Sequence, residues 1–580
     1  MLSDAAPRAT VPGHPGFPSR TLIAVLGCAL PLAAQNWLPT SPYPAWAVNA
    51  PTTTVTLTYD PTQSSLANGA RLQAALSALQ PGHGLAIGPG TWSVQNRLDF
   101  SGAGTAQAPF WVFGANPAQK PVITRPDASQ NAINVGSVAP ARFWALRDLE
   151  ITGGADLCKL YDCANVWIDS CYLHDGAGVG ISAQTIATDH LWLTRNQIAR
   201  PGPGTNGEAM YLGGGPAVPM SWSAIAFNHV HDTRGALSGQ GDGIEIKQGS
   251  HHNWVFGNTV HDCKNPCILV YGTAGNAQNV IDGNVCYDSD DVVLQVQGEA
   301  IVRNNVAIGG TVAFGSHDHV AASTNLQVVH NTFVSQGRAA MLASWSGRAA
   351  MVFANNVAYS LGAESLHFGN GSASVSIAGN VVFGPVYLAS AGYVFGTGLA
   401  DFADVTVATF HTDVTPIAGG AIDNRGNVAF RVALDLEGTV RGLPVDPGAL
   451  VTANALHSTT AQLSLATGGT QVLAFDAPLL AGAGYLVVGS MSGTAPGVQL
   501  GAFTLPLVTD FWLVATLQGT SANLLLNARG TLDPLGRANT TLVLPPLPAV
   551  LHGLVLNHAL LAFRNGSLVF VSNPVPVTLQ

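Results

Sequence analysis

From about residue 80 to residue 385 the chain alternates apolar and polar positions in short runs, separated by glycine- and asparagine-rich turns. Strand geometry sends successive side chains to opposite faces, so each run predicts a short, half-buried strand. No helical period appears between the runs. The runs also recur. Aligned on an asparagine two positions before an apolar residue, the copies are Asn196, Asn228, Asn258, Asn284, Asn304, Asn331, Asn355 and Asn380, with Asp148 and Ser170 in the same slot earlier. Their mean spacing of about 26 residues falls in the range of repeat architectures. A propeller blade needs about 40 residues, and helical repeats need helices. The pattern therefore predicts an all-β chain built as a parallel β-helix of about ten or more coils, each stacked on the last. Stacked asparagine amides hydrogen-bond along such a pile and tolerate left-handed turn geometry.

The flanks differ. Leu66–Gln80 spaces Leu72, Leu76 and Leu79 on one helical face, which predicts a helix covering the open first coil. Residues 36–60 are a Pro/Thr-rich lead-in. Beyond residue 451 charges thin out, and runs such as YLVVGSM, FTLPLV, FWLVATL and SLVFVS alternate with Gly/Pro turns. These predict a compact β-sandwich-like module over residues 451–580. At the other end Thr21–Ala34 is apolar, too short to span a bilayer, and ends in small residues. Residues 1–34 thus read as a secretory signal, which implies a secreted, cell-surface or periplasmic protein without a membrane span.

The chain carries 33 acidic against 23 basic residues, a net charge of −10. That balance argues against nucleic acid or anionic membranes as partners. Six cysteines follow Cys28: Cys158, Cys163, Cys171, Cys263, Cys267 and Cys286. In an exported protein they suit disulfides between neighbouring coils; in a solenoid core they equally suit small buried stackers. Their spacing is not that of a zinc site.

The most chemically loaded stretch is Asp242-Gly243-Ile244-Glu245-Ile246-Lys247. Period two turns both isoleucines into the stack and both charges outward. Aligning adjacent coils sets Glu208 beside Asp242, Tyr211 beside Glu245, and Tyr271 beside Lys247, with Gln295 and Gln297 further on. Together with Arg234 this describes a polar, aromatic-edged groove suited to an extended sugar chain. Lys247 is one of only four lysines. Two histidine patterns stand apart. His174-Asp175, His231-Asp232 and His261-Asp262, continued by Tyr287-Asp288, recur in one register and read as turn-capping pairs. His317-Asp318-His319 has the i, i+2 spacing that would put two imidazoles on one strand face for a metal, but it is expected to be a loop feature.

The opening PGHGLAIGPGTWSV after a helix resembles the N-terminal cap of secreted right-handed β-helix proteins of the pectate-lyase-like superfamily, and the resemblance extends over about residues 60–450. PIAGGAID and DLEGTVRGLPVDPGAL resemble the closing coil and exit segment of those proteins. The Asp242–Lys247 element is similar to the Asp-Gly-x-x-x-Lys element of polysaccharide lyase family 9. That resemblance implies β-elimination on an acidic polysaccharide, with Asp242 on calcium and Lys247 as base. Glu245 would flank the base. Glu208 adds a hard oxygen ligand, and Asp290 and Asp291 are further candidate ligands, although Ser289-Asp290-Asp291 stands one coil later than the family's acidic strand, without its glycine and final aspartate. The chain is then expected to act as a monomer on a uronate glycan. Two other classes remain open. One is a glycoside hydrolase using paired carboxylates; the other is a non-catalytic carbohydrate-binding protein.

Overall fold

A computed structural model describes residues 37–203, 206–237, 239–441, 445–452, 455–458, 460–477, 480–501 and 503–580. The expected signal segment and Cys28 lie outside the described residues. Between Thr53 and Phe395 the strands form three long parallel sheets of 15, 13 and 12 members. Each coil contributes in turn to the first, second and third sheet. This is a parallel β-helix, joined by crossovers of the kind that are right-handed in nearly all sheets. One apolar core fills it from Leu72 to Val382. Inward-facing isoleucine, valine and leucine from all three sheets supply most of that core, as strand period two requires.

The cap forms as the apolar spacing demands. A helix runs from Ser65 to Ser77, with the Ser64 hydroxyl accepting the Ala67 N–H at its N-terminus and Leu72 and Leu76 buried. It lies so close to the first coil that a Cβ on Gly69 would stand 1.8 Å from the Ser93 carbonyl oxygen. The lead-in is more ordered than its composition suggested. Thr53–Leu57 pairs with His83–Ile87 as the first strand of the first sheet. Trp46 packs edge-on against Trp111, Phe143, Trp167 and Trp192 on that sheet's outer face.

The asparagine ladder exists, with a corrected membership. Its rungs are Asn196, Asn228, Asn258, Asn284, Asn305, Asn331, Asn356 and Asn380. Each amide side chain but the last donates to the carboxamide oxygen on the next coil at 2.8–3.2 Å, and Asn380 donates to the Phe353 and Gly392 carbonyls. Asn304 and Asn355, expected as rungs, fall one residue earlier. They share a left-handed position with Asp148 and Ser170, at φ between 54° and 56°. In an Asn-Asn pair the apolar alignment is ambiguous by one residue, and hydrogen bonding selects the second. The first takes the αL turn that asparagine and aspartate tolerate.

Two further expectations change. The stretch resembling a closing coil does not stack on the helix end. Phe402, Val405, Val414, Ile422, Leu436 and Leu450 instead cover outward-facing Val306, Ile308, Val334, Val357, Tyr359 and Val381 of the second sheet. Those strands are apolar on both faces, so their outer face needs a cover. In the C-terminal module, two largely antiparallel sheets enclose a second core, but FWLVATL is a helix, Phe511–Gln518. The Asp510 carboxylate accepts the Leu513 N–H at its start, and Gly519 ends it at φ 72°. These caps outweigh the β-propensity of the run.

The six described cysteines are all buried free thiols, so they serve as core stackers and not as crosslinks. Burial pushes Cys163 and Cys171 up to about 12. Because the thiolate is the reactive species, none of the six is expected to take an alkylating label in the native protein. All six should label after denaturation, and mass spectrometry of the two samples checks this. Labelling of any of them without unfolding would contradict their placement in the core.

Candidate functional site

The site lies on the third sheet. Six successive strands build it: β1 (Ile181–Ala183), β2 (Met210–Leu212), β3 (Ile244–Ile246), β4 (Ile268–Val270), β5 (Val292–Val296) and β6 (Val312–Ser316). The register pairs Tyr211 with Glu245 and Leu212 with Ile246. It pairs Ile246 with Val270 on the other side. Ile244 and Ile246 are fully buried in the core, so Glu245 and Lys247 project from the opposite face. Lys247 is thereby set level with Tyr271.

Lys247 is enclosed by its neighbours. Its Nζ donates to Glu245 Oε1 at 2.6 Å and sits 4.7 Å from the ring centroids of both Tyr211 and Tyr271. Two aromatic faces and one carboxylate therefore hold a single ammonium, a cation–π sandwich reinforced by an ion pair. Burial alone would lower the lysine's pKa, but Glu245 and the two tyrosines outweigh it and carry it well above the ordinary value. In this arrangement Lys247 is an ammonium.

Beneath it Glu208, Asp242 and Glu245 bring a carboxylate oxygen each to within 4.8 Å of one another. All three are nearly inaccessible, at 1%, 3% and 3% exposure. Glu208 Oε2 and Glu245 Oε2 are buried without a hydrogen-bond partner. Burial, then the neighbouring carboxylates, push Asp242 well above the usual carboxylate range. Burial raises Glu208 and Glu245 as well. Uncompensated carboxylates in such a nest either hold a proton or face a cation. The donors are all oxygen and hard, and two of their atoms are orphaned, so the set fits calcium.

The other expected site residues are distributed more widely. Gln295 is outward but faces Leu269 of β4 and Gly315 of β6, so an apolar side chain separates it from Glu245. Gln297 stands on the coil after Tyr271 and donates its amide to the Ala321 carbonyl. Arg234 and Asp290 do not join the carboxylate nest. They line a separate groove with Asp232, Asp262, Lys264 and Asp288. Asp290 and Asp291 also stand outside the three-carboxylate group, which comprises Glu208, Asp242 and Glu245 among the described residues. The reason is the turn before β5: the Ser289 hydroxyl accepts the Asp291 N–H at 3.1 Å, which holds that acidic pair at the strand's entrance.

One contributor is not visible in the local sequence. His319 lies edge-on to Tyr271, with ring centroids 4.9 Å apart. It arrives on a loop after β6, two coils away, so no spacing rule links it to Lys247. His317 and His319 stand on the same loop, past the end of the strand at Ser316, with ring centroids 6.0 Å apart, so the pair is the loop feature that was expected.

A parallel β-helix with a buried acid nest under a ring-clamped lysine is thus the class defined by fold and site. A family model described as NosD, periplasmic copper-binding protein, matches residues 215–387, less than a third of the chain. A search of curated proteins gave no match. Among solved structures, an alginate lyase from Paenibacillus sp. FPU-7 is 15% identical, with 51% of this chain and 97% of that chain covered and a TM-score of 0.32. Tailspike protein 3 of bacteriophage CBA120 is 13% identical over 59% of this chain and 61% of its own, at a TM-score of 0.33. The periplasmic alginate epimerase AlgG is 10% identical over 60% and 87%, at 0.28. Likenesses this distant say nothing of the reaction.

Proposed function

We propose that the protein is an exported carbohydrate-active β-helix protein that binds an acidic glycan along the third sheet and cleaves it by calcium-assisted β-elimination. The observation that carries this reading is Lys247, held between Tyr211 and Tyr271 and paired with Glu245, one of three buried carboxylates that converge. Glu208, Asp242 and Glu245 would hold the ion. Bound there, calcium supplies positive charge that offsets the nest and stabilises the enolate-like carboxylate of a uronate. Copper is a poorer match to an oxygen-only nest, since it favours nitrogen and sulfur donors. Tyr211 and Tyr271 orient the sugar ring. Lys247, having lost its pairing with Glu245 and given a proton to solvent, takes the proton alpha to the carboxylate as the β C–O bond to the next sugar breaks, and the leaving oxygen is protonated from water.

A hydrolase is less well supported. Its two carboxyl groups must stand on opposite sides of the bond, about 5 Å or more apart, whereas these three converge on one point. A binding protein without turnover remains the second reading, favoured by the ammonium state of Lys247. The two are separated by incubating the protein with polyuronates and calcium. An unsaturated product absorbing in the ultraviolet supports elimination. Saturable binding without that product supports the second reading, and neither would remove a glycan from the account.

A pH-dependent consequence follows for stability. The folded-state pKa values of Glu208, Asp242 and Glu245 are raised, so the native state binds protons more tightly than the unfolded chain there. Stability contributed by this nest is therefore greatest at acid pH and falls as pH rises above the unfolded value of about 4. Glu208→Gln removes one of the crowded carboxylates. It is expected to raise the melting temperature of the metal-free protein at pH 7, with little effect at pH 4, and to abolish the upward shift that millimolar calcium gives the parent. A melting temperature unchanged by calcium in the parent at pH 7 would remove the nest from consideration as an ion site.

A further inference from the structure

A second cluster occupies the outer face of the second sheet, on the part that the exit segment leaves uncovered. His229 and His231 lie two positions apart on one strand and face the same way, and the register sets His231 beside His261 on the next coil. Their rings gather closely: His229 is 4.6 Å from His231 and 5.1 Å from His261, centroid to centroid. His261 stacks on His231 with 8° between the planes and on Tyr287 with 3°.

The nitrogen atoms are arranged in an unusual way. His229 Nε2 and His261 Nε2 point at each other across 2.8 Å. His261 Nδ1 meets Asp262 Oδ2 at 2.5 Å, and His231 Nδ1 meets Asp232 Oδ2 at 2.8 Å. The aspartates do not cap turns through their side chains, as the sequence pattern suggested. They sit at left-handed positions, φ 55° and 51°, which swings each carboxylate back onto its own imidazole. A carboxylate on Nδ1 holds a proton there and leaves Nε2 as an acceptor: His261 Nε2 takes the N–H of His229, a proton that a bound ion would displace, and His231 Nε2 takes that of the Gln197 amide at 3.0 Å. That is the arrangement with which histidine ligates a metal.

We propose that His229 and His261 bind a late first-row divalent ion, zinc or copper(II), through their Nε2 atoms, with Asp262 orienting the second ligand. Imidazole nitrogen is the donor these ions favour. A metal–nitrogen distance of about 2.0–2.1 Å allows two nitrogens 2.8 Å apart to act as adjacent ligands on one ion. The remaining positions face solvent, since His229 is exposed, and are open to water; His231 is engaged by Asp232 at Nδ1 and by the Gln197 amide at Nε2. Asp232 and Asp262 add negative charge. The site is separate from the third-sheet nest and does not depend on its function.

The test is titration of the full chain with copper(II), followed by electron paramagnetic resonance and calorimetry, and repeated with zinc. One equivalent bound with imidazole nitrogen coupling in the spectrum is the expected result. His229→Ala and His261→Ala should each weaken binding at least tenfold, and Asp262→Asn about tenfold. Glu208→Gln should leave it unchanged. An oxygen-only copper spectrum in the unaltered protein would overturn the assignment. So would affinity that survives both histidine substitutions, or the absence of binding.

Discussion

Lys247→Met is expected to reduce formation of unsaturated product by about 10²–10⁴-fold, the usual contribution of a positioned acid or base. Methionine keeps an unbranched apolar stem between Tyr211 and Tyr271, so the packing of the two rings is preserved. It removes the amine that the elimination reading assigns as the base, while Glu245 stays in place. Lys247→Arg is the sharper variant. Its guanidinium retains the charge, the contact with Glu245 and the cation–π faces, but it does not deprotonate. The reading requires that the arginine variant still bind the glycan while losing turnover. Full activity in Lys247→Arg would show that the residue contributes only charge, and the elimination mechanism would fall with it. The assay needs calcium present, because the structure as described holds Lys247 as an ammonium through Glu245.

The second large effect concerns the scaffold. Asn258→Ala is expected to destabilise the protein by about 3–4 kcal/mol, as buried groups left without partners each cost about 1–3 kcal/mol. Asn258 is buried. Its amide nitrogen donates to the Ile225 carbonyl and to Asn284 Oδ1, both at 2.8 Å. Its oxygen accepts the backbone N–H and the side-chain amide of Asn228, both at 2.9 Å. Alanine therefore breaks bonds to the coils on both sides at once and cannot admit water to a stacked turn. Asn258→Leu separates hydrogen bonding from volume. It fills much of the space but restores none of the partners, so it should be no more stable than alanine. Urea midpoints at unchanged slope give the comparison. A loss below about 1 kcal/mol in the alanine variant would show that the ladder follows the fold and does not hold it.

Much of this site was legible along the chain because a strand is a local object. Ile244 and Ile246 announce an inward face, and Glu245 and Lys247 must then face outward. One correct alignment of neighbouring coils brings Tyr211 and Tyr271 to either side. Errors arose where the alignment had to cross a coil of different length. Successive ladder asparagines are 32 residues apart at one place and 21 at another, and the difference is taken up in turns. Asp290 and Asp291, metal candidates through the resemblance alone, stand outside the three-carboxylate group. Arg234 likewise lines the neighbouring groove. Phe511–Gln518 reads as a strand by composition but is set as a helix by Asp510 and Gly519.

Residue order alone therefore determined the solenoid, its asparagine pile, its apolar interior and the outward charge pair on β3, since all of these depend on periods of two residues and one coil. Only the tertiary structure decided that three carboxylates converge within 4.8 Å, that His319 closes over Tyr271, and that two imidazoles meet across the second sheet. Those contacts depend on how long each turn runs and where its left-handed residue falls. Such geometry is set by packing against the coils above and below, and no local period carries it.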